Sequence, residues 1–364
     1  MKFLLLYCIG LSLVLVFLPA AIAGDCWVWE GKAGTPADLP GAPGETTAGE
    51  GTGADGGPSG DILLQIYVVQ TGELKELELE DYVRGVIAAE MPASFHPEAL
   101  KAQAVAARTY AWQRAGPDGG GCPNHPEAAL CTASTCCQAW LEDEEARKKW
   151  PAAKADSYLE RIAEAVRATR GQVLTYDGEP ITAVYHSTCG GKTEAAAELW
   201  GESGTDYPYL QSVDCPYCKR SPSCRQELAL ELSAYAAALQ DEKEARPVLA
   251  AGGDYPLLEI VRKSASGRNL LLRIGKPGRL YSGSEVRRLL GLPSTHFHWR
   301  VEGGKIIFSV RGNGHGVGMC QYGADGLARA GKTYAEILGH YYGGATLEKR
   351  TAKTSTPLER KPCR

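Results

Sequence analysis

The sequence has no excess of basic residues and no internal repeat. Among its 364 residues, 39 Lys and Arg stand against 43 Asp and Glu, giving a formal net charge of -4 at pH 7. Proteins that bind nucleic acid need a positively charged surface to neutralise phosphates. The charge balance therefore argues against nucleic acid as a partner, and the lack of repeats gives no support to a repeat architecture.

Large apolar side chains are almost absent from residues 31–60, which are rich in Gly, Pro, Ala, Thr and acidic residues. A segment of this composition cannot bury enough apolar surface to fold, so residues 24–60 are predicted to form a flexible linker. Such a linker suits a membrane-tethered enzyme that works on an extended surface substrate. A merely disordered segment after a signal sequence fits the composition equally well.

Residues 1–23 are strongly apolar and carry a single Lys near their start. Small residues at their end are typical of a signal-peptide cleavage site. The apolar run is long for a signal peptide and slightly short for a membrane span, so a cleaved signal peptide and an uncleaved anchor both remain open. Either interpretation predicts an exported protein that is membrane-anchored or extracytoplasmic.

Glu90 is an acid at the junction of two alanine-rich apolar segments. The first segment is predicted to be a helix that Asp81 caps and Pro92 ends, and the second a helix that begins at Pro97. The negative end of the helix dipole, like apolar packing, is expected to raise the pKa of Glu90. A raised carboxyl pKa suits a general acid, whereas the alternative is a solvated acid at a helix end.

Lys101, Arg108 and Tyr110 lie on the second of these predicted helices. Lys101 and Arg108 are seven residues apart and therefore share a helix face. Cations near Glu90 would lower its pKa and oppose the dipole, so the sequence leaves the direction of the shift open. The alternative for these residues is a solvated basic face.

Ser187 and Thr188 follow His186 at a predicted strand end, before two glycines. Hydroxyl groups and an imidazole at such a position suit the recognition of sugar hydroxyls, although a single His is more often structural.

A second polar stretch, RGNGHGVGMCQYGADG, has five glycines within residues 312–323, around His315, Gln321 and Tyr322. It lacks the features of a phosphate-binding loop, and its glycines indicate close packing against a backbone or a ligand. A buried turn that holds a hydrogen-bonded His is the alternative.

Cysteines cluster in two segments of this predicted exported protein. His125, Cys131, Cys136 and Cys137 offer four nitrogen and sulfur ligands, which matches a closed tetrahedral zinc site. A second, weaker cluster joins the three cysteines of CPYCKRSPSC with Cys189 as a possible fourth ligand. For these residues, namely Cys189, Cys215, Cys218 and Cys224, metal binding and disulfides remain equal alternatives.

The order of elements predicts an α+β fold over residues 61–348, followed by a polar tail at 349–364. Predicted helices and hairpins do not alternate regularly, which argues against a doubly wound sheet. We expect helices around a catalytic cleft, packed with antiparallel β hairpins and a small C-terminal β-rich part.

Four long motifs in this order resemble the stage II sporulation protein D family, which is related to amidase-enhancer proteins. The motifs are AAEMPASFHPEALKAQAVAARTYAW, HSTCGGKTEAAAELWG, SGSEVRRLLGLPSTHF and GNGHGVGMCQYGADGLARAGKTYAEIL. The resemblance implies a peptidoglycan lytic transglycosylase, which cleaves glycan strands between MurNAc and GlcNAc and leaves a 1,6-anhydroMurNAc end. It also implies a role in forespore engulfment at the mother-cell membrane, with an amidase and membrane engulfment proteins as partners.

The resemblance assigns Glu90, in the AEMP motif, as the catalytic residue. It also implies a zinc loop with the pattern H-x5-C-x4-H-C, which His125, Cys131, Cys136 and Cys137 match except that Cys136 replaces a His. Cysteine is a competent zinc ligand, so a structural zinc is expected, with Cys122 as a possible substitute.

Ordinary glycosidases need two carboxylates, and the sequence shows no second acid in a setting like that of Glu90. A lytic transglycosylase needs one, because a hydroxyl of the substrate is the nucleophile. The candidates for substrate binding are then Lys101, Arg108, Tyr110, Ser187, Thr188, His315, Gln321 and Tyr322. Two other functions remain open: a non-catalytic, wall-binding enhancer of an amidase, and a purely structural engulfment protein.

Overall fold

The computed structural model describes residues 62–116, 119–240, 258–275 and 278–350. The predicted leader (1–23) and linker (24–60) lie outside the described residues, as does the tail beyond residue 350. Within the described ranges, no helix combines the length and the apolar character that a membrane span requires.

The first half of the chain alternates short strands with long helices. Its elements are β1 (Leu63–Val68), β2 (Glu73–Glu78), α1 (Leu79–Glu90), α2 (Pro97–Ala115), β3 (Leu130–Cys131), α3 (Asp143–Lys148), α4 (Ala152–Ala168), β4 (Gln172–Tyr176), β5 (Glu179–Pro180) and β6 (Tyr185–His186).

The second half contains more strands and shorter helices. Its elements are α5 (Ala196–Trp200), 3₁₀ turns at Gly201–Asp206 and Pro216–Arg220, β7 (Gln226–Glu231), α6 (Leu232–Gln240), β8 (Leu258–Lys263), β9 (Asn269–Ile274), β10 (Arg279–Ser282), α7 (Gly283–Leu289), β11 (Phe297–Glu302), β12 (Lys305–Val310), β13 (Met319–Cys320), α8 (Gln321–Arg329), α9 (Tyr334–Tyr341) and β14 (Thr346–Lys349).

The strands form several small sheets, and the predicted α+β class is confirmed. The strand orders are β2-β1-β3, β10-β9-β8, β11-β12-β7, β13-β6 and β14-β4-β5. Most pairs are antiparallel, while β1 with β3 and β6 with β13 are parallel. β4 forms only a two-residue hairpin with β5 and pairs along most of its length with β14, which follows α9.

The β-rich part is internal rather than C-terminal, which corrects the expectation. Strands β7 to β12 with α6 and α7 enclose their own apolar core, which includes Leu272, Val286, Phe297 and Phe308. The chain then returns, and α8 and α9 pack against α2 in the larger core. The larger core is thus built from two separate stretches of sequence.

Helix α2 is the centre of the larger core and is buried on every side. It contacts α1, α4, α8, α9 and β4. Many of its residues are alanine, and these small side chains let the neighbouring elements approach closely. Polar side chains on such a helix must find partners inside the protein, because an unpaired buried polar group is costly.

The corner between α1 and α2 is held in place from two sides. Helix α1 ends at Glu90, and Met91 adopts an extended conformation before Pro92. Arg161 of α4 donates hydrogen bonds to the carbonyls of Ala93 and Phe95 at 3.0 and 2.5 Å. This bracing fixes the direction in which α1 presents its last residue.

Gly85 lets the segment after the first cysteine cluster lie directly against α1. A Cβ at this position would come within 2.2 Å of Trp140 Nε1 and 2.7 Å of the Leu141 carbonyl oxygen. The Leu141 N–H donates to the Gly85 carbonyl at 3.2 Å. Because backbone as well as side-chain atoms fill this space, relief of the clash requires movement of the whole segment.

We predict that Gly85→Ala destabilises the fold by about 1–3 kcal/mol, the cost of overpacking a close contact. Urea unfolding of both proteins measures the difference. Gly339→Ala is the matched control, because Gly339 is an exposed helical residue whose added Cβ would meet nothing within 4 Å. The control is expected to gain up to about 1 kcal/mol from helix propensity. Equal effects of the two changes would contradict the proposed contact.

Candidate functional site

Glu90 lies at the end of α1, largely shielded from solvent, and one of its oxygens is hydrogen-bonded. The backbone N–H of Ala139 donates to Glu90 Oε1 at 2.8 Å. Burial raises the pKa of Glu90, while the Ala139 N–H and the charge of Lys149 act in the opposite direction. The net shift is upward, so burial outweighs both, and the protonated acid is favoured over a wider pH range than for a free Glu.

The cation that acts on Glu90 is Lys149, which the sequence did not single out. Its Nζ donates to the carbonyl oxygens of Ala88 at 3.2 Å and Ala89 at 2.9 Å. These carbonyls belong to the last turn of α1, where a positive charge also offsets the helix dipole. The cation that opposes the upward shift in the pKa of Glu90 is therefore Lys149, and not Lys101 or Arg108 as expected.

Arg108 is part of the fold rather than of the surface, with an exposed fraction of 0%. Its guanidinium makes a bidentate pair with Glu80, with Nε–Oε1 and Nη2–Oε2 distances of 2.9 and 2.6 Å. It further donates to the carbonyl of Gln172 at 3.2 Å. Arg108 shares a helix face with Lys101, as the spacing predicted. The part of this face that carries Arg108 is covered by α4 and β4.

Lys101 pairs with Glu98 of its own helix at 2.8 Å and lies over the Tyr334 ring, 5.9 Å from the ring centroid. It lines a cavity of about 250 Å³ together with Leu100 and Arg161, and Glu90 is not among the lining residues. A role for Lys101 in substrate binding stays a prediction, at a position separate from the acid.

Two tyrosines and a glutamine form a hydrogen-bonded row beside Glu90. Tyr82 donates to Gln138 Oε1 at 3.2 Å, and Gln138 Nε2 donates to the Tyr185 hydroxyl at 2.8 Å. Burial, together with nearby negative groups that include Glu90, raises the pKa of both tyrosines well above the ordinary value. Both hydroxyls are therefore neutral donors in the neighbourhood of the acid.

The sequence did not reveal this row, because Tyr82 and Tyr185 fit ordinary core positions of a helix and a strand. The one feature of the sequence that could have indicated this row is Gln138, a polar residue directly after Cys137. Tyr110, which was predicted, is buried near this row and carries a cation–π contact with Arg114 at 5.6 Å. Burial raises the pKa of Tyr110 as well.

Ser187 and Tyr322 are brought to the corner that follows Glu90. The Tyr322 N–H donates to the Ser187 carbonyl at 3.1 Å, and its ring packs edge-on against Phe95 at 4.9 Å. Both side chains are partly exposed. Among the predicted substrate-binding residues, these two are joined to each other and, through Phe95, to the segment that follows Glu90.

Three other predicted residues are occupied by partners within the protein. Thr188 is buried and its hydroxyl lies 2.6 Å from that of Ser221. Gln321 donates to Gln103 Oε1 at 3.3 Å and so links α8 to α2. These contacts give Thr188 and Gln321 structural roles in place of the expected substrate contacts.

His315 is the third residue of this kind. Its Nε2 lies 2.9 Å from the Tyr185 carbonyl oxygen, and its Nδ1 accepts from the Val317 N–H at 3.1 Å. Burial lowers the pKa of His315 to about 4, so it is neutral at pH 7 with Nε2 as the donor. Both ring nitrogens are thereby used in holding the turn before β13.

The first cysteine group consists of Cys122, Cys131, Cys136 and Cys137, whose sulfurs all lie within 4.8 Å of one another. Cys136 Sγ is 3.7 Å from Cys122 Sγ and 3.8 Å from Cys137 Sγ. Four sulfurs in a tetrahedron about 2.3 Å from zinc are about 3.8 Å apart, so the residues present fit this ion.

His125 is outside this group, and Cys122 holds the fourth position, which corrects the ligand set predicted from the spacing. The His125 ring stacks on Tyr67 with centroids 3.6 Å apart, and its Nδ1 is 3.7 Å from Glu127 Oε1. Burial raises the pKa of the Cys122 thiol, but hydrogen bonds from neighbours that include the Asn124 and His125 backbones lower it below the ordinary value. His125 thus contributes its backbone rather than its imidazole.

The family model described as Stage II sporulation protein matches residues 67–176, a range that contains Glu90 and the first cysteine group. Stage II sporulation protein D of Bacillus subtilis (strain 168) is 32% identical over 301 residues, which cover 82% of this chain and 83% of the relative. The chain belongs to the stage II sporulation protein D family.

Two further relatives of this family member are informative. Stage II sporulation protein D of Bacillus amyloliquefaciens is 32% identical over 300 residues, which cover 82% of this chain and 83% of that protein. The amidase enhancer of Bacillus subtilis (strain 168) is 31% identical over 314 residues, which cover 73% of this chain and 40% of the relative. The similarity therefore extends from the stage II sporulation protein D family to a protein named for its effect on an amidase.

We predict that Lys149→Met raises the pKa of Glu90 above its wild-type position. The change removes the positive charge that favours the carboxylate, and it frees two carbonyl oxygens at the end of α1. Carbon-13 NMR titration of the glutamate carboxyls measures the shift, with Glu90→Gln used to assign the signal.

Lys148→Met is the control for this titration. Lys148 is the neighbouring residue, is exposed and pairs with Glu145. Its replacement changes the net charge equally and is expected to leave the Glu90 signal in place. The same shift in both variants would mean that general charge, not the contact at Lys149, controls the acid.

Proposed function

We propose that this protein is a peptidoglycan lytic transglycosylase in which Glu90 is the single acid and base. The observation that carries the proposal is the setting of Glu90, a shielded carboxyl with a raised pKa that is flanked by neutral tyrosine hydroxyls. Among the other carboxyls with a resolved shift, Glu98, Glu227, Glu285 and Glu336, the pKa is lowered. Among these five carboxyls, Glu90 alone has its pKa shifted in the direction that a general acid needs.

In the first step, protonated Glu90 donates its proton to the glycosidic oxygen between MurNAc and GlcNAc. The bond from the MurNAc C1 to this oxygen breaks, and its electron pair leaves with the GlcNAc hydroxyl. In the second step, the Glu90 carboxylate takes the proton of the MurNAc C6 hydroxyl as that oxygen bonds to C1. The product is a 1,6-anhydro end, and Glu90 is again protonated.

The surrounding residues have roles consistent with this sequence of steps. Shielding of Glu90 favours the acid form that starts the reaction, and the Ala139 N–H stabilises the carboxylate that forms after proton transfer. The Tyr185 hydroxyl accepts a hydrogen bond from Gln138, so its own proton is available to a sugar oxygen. Ser187 and Tyr322 supply further hydroxyl groups at the same corner.

Family membership supports a cell-wall role in sporulation, and the similarity to an amidase enhancer supports an amidase as a partner. Glycan strands of peptidoglycan are the proposed substrate, and membrane engulfment proteins are further proposed partners. The predicted leader, which lies outside the described residues, motivates the proposed location at the extracytoplasmic side of the cell membrane.

We predict that Glu90→Gln lowers the release of 1,6-anhydroMurNAc ends from purified glycan strands at least about 100-fold, because the proton donor is lost. Mass spectrometry of the released ends measures the rate. The variant is expected to be at least as stable as wild type at pH 7. A raised pKa means that the charged carboxylate costs stability as pH rises, and Gln removes that charge.

A parallel assay tests the enhancer function that the amidase-enhancer relative favours. A purified peptidoglycan amidase is mixed with wild type and with Glu90→Gln, and the release of stem peptides is followed. An enhancer would stimulate the amidase equally with either protein and release no anhydro ends by itself. That result, or full turnover by Glu90→Gln on glycan alone, would overturn the proposed catalysis.

We further propose that the first cysteine group binds a structural zinc ion. Cys131, Cys136 and Cys137 lie on the segment that continues into Gln138 and Ala139, the residues that contact Tyr185 and Glu90. Zinc would supply no chemistry to the reaction. It would hold this segment, and with it the Ala139 N–H, at the acid.

We predict that Cys122→Ser loses one equivalent of zinc relative to wild type, whereas His125→Ala keeps the wild-type content. Zinc is measured by elemental analysis after gel filtration. The expectation rests on the convergence of Cys122, not His125, with the three other sulfurs. Loss of zinc from His125→Ala with retention in Cys122→Ser would restore the ligand set expected from the spacing.

A further inference from the structure

A second group of four cysteines meets in the other half of the molecule. Cys189, Cys215, Cys218 and Cys320 are all buried, and their sulfurs lie within 4.8 Å of one another. The sulfurs of Cys189 and Cys218 are 3.5 Å apart. The sequence suggested Cys224 for this cluster, but the fourth position belongs to Cys320, which comes from the glycine-rich segment before α8.

The sulfurs of this second group accept hydrogen bonds from the backbone. The Gly191 N–H donates to Cys189 Sγ at 3.4 Å, and the N–H groups of Cys189 and Gly323 each donate to Cys320 Sγ at 3.3 Å. Backbone N–H groups aimed at sulfur are the hydrogen-bond donors that surround and orient thiolate ligands in metal sites. Thiolates are the form of cysteine that binds a metal.

A buried cation lies beside the group. Arg268 has an exposed fraction of 0%, and its charge acts on Cys189, Cys218 and Cys320. Its Nη2 donates to the Cys189 carbonyl at 2.8 Å, and its Nε has no hydrogen-bond partner among the described residues. Four thiolates around a divalent ion carry a net charge of -2, which a buried guanidinium partly offsets.

Glu194 is a carboxylate whose charge acts on Arg268. Its Oε2 accepts from the Ser266 hydroxyl at 2.7 Å, and Ser266 lies 3.5 Å from Arg268 Nη1. Nη1 of the guanidinium is thus linked through Ser266 to Glu194, while Nη2 holds the backbone of Cys189. Arg268 therefore lies between the Glu194 carboxylate and the second cysteine group, whose negative charge it would partly offset.

The segment that carries Cys215 packs closely against the start of α8. A Cβ at Gly323 would come within 2.4 Å of Cys215 Sγ and 2.1 Å of the Tyr341 hydroxyl. That hydroxyl is itself 3.1 Å from Cys215 Sγ. Glycine at 323 therefore makes the convergence of the sulfurs sterically possible.

We propose that Cys189, Cys215, Cys218 and Cys320 bind a second zinc ion, tetrahedrally and without an open coordination position. Four sulfurs this close to one another enclose a single ion, whereas an iron–sulfur cluster spreads its ligands over several irons. The ion joins three segments that are distant in sequence. Two of them continue directly into Ser187 and Tyr322, so the second zinc supports that side of the Glu90 corner.

The test measures zinc by elemental analysis and native mass spectrometry on the purified full chain. Wild type is expected to bind two zinc ions, Cys320→Ser one, and Cys131→Ser one. Cys224→Ser is the matched control, because Cys224 is close in sequence but outside the group, and it should keep two. Retention of two zinc ions by Cys320→Ser would overturn the second site.

A measurement on wild type keeps the proposal testable if Cys320→Ser does not fold. The protein is denatured with a chelator and without reductant, alkylated, and mapped by peptide mass spectrometry. Free, alkylated cysteines at all four positions support the metal site, whereas disulfide-linked peptides among them overturn it, as does iron in place of zinc.

The same measurements test the second zinc site independently of the first zinc site and of the proposed catalysis. A Cys131→Ser protein that keeps one zinc supports the second site, even if Glu90 proves not to be catalytic. A wild-type protein with one zinc and a Cys131→Ser protein with none would overturn the second site and leave the first intact.

Discussion

The burial of α2 on every side is the constraint on which the rest of the structure depends. Between Ala102 and Ala111 the polar side chains of this helix cannot reach solvent, and several of them link α2 to other elements. Arg108 binds Glu80 in the first turn of α1, and Gln103 accepts from Gln321 at the start of α8. The same helix therefore fixes the end of α1, where Glu90 lies, relative to the segments that bring Ser187 and Tyr322 to that corner.

Burial is the main cause of the raised pKa of Glu90, the property that its proposed role as an acid requires. Two groups act against the upward shift, the Ala139 N–H and Lys149, and both also organise the surroundings. Ala139 ties the acid to the segment of the first cysteine group, and Lys149 closes the last turn of α1. The pKa of Glu90 therefore depends on the position of the segment that carries Ala139 and the first cysteine group.

Local features of the fold and site were predictable from the sequence. Pro92 and Pro97 determine the end of one helix and the start of the next, so the corner at Glu90 followed from short-range geometry. Cys136 and Cys137 are adjacent in sequence, so their membership of the same cysteine group was also predictable from local sequence. Lys149 and Cys320 were missed, and Cys122 was expected only as a substitute ligand, because these residues reach their positions only through tertiary packing.

Arg108 also shows that local sequence patterns do not reveal tertiary packing, although here the residue itself was singled out. Helical periodicity correctly placed it on one face with Lys101, but periodicity does not tell which parts of a face another element covers. In the same way, the strand pattern of β4 was recognised, while its main partner, β14, comes from the end of the described chain. Pairings between distant segments depend on the completed core and have no local signature.

The internal position of the β-rich part has a consequence for how the protein reaches its native state. The larger core is completed by α8, α9 and β14, which follow the whole of the second core in sequence. Contacts between segments so far apart carry a high entropic cost of loop closure and slow folding. Tyr322, at the start of α8, packs against Phe95 in the corner after Glu90, so a chain that ends before α8 would lack that side of the corner.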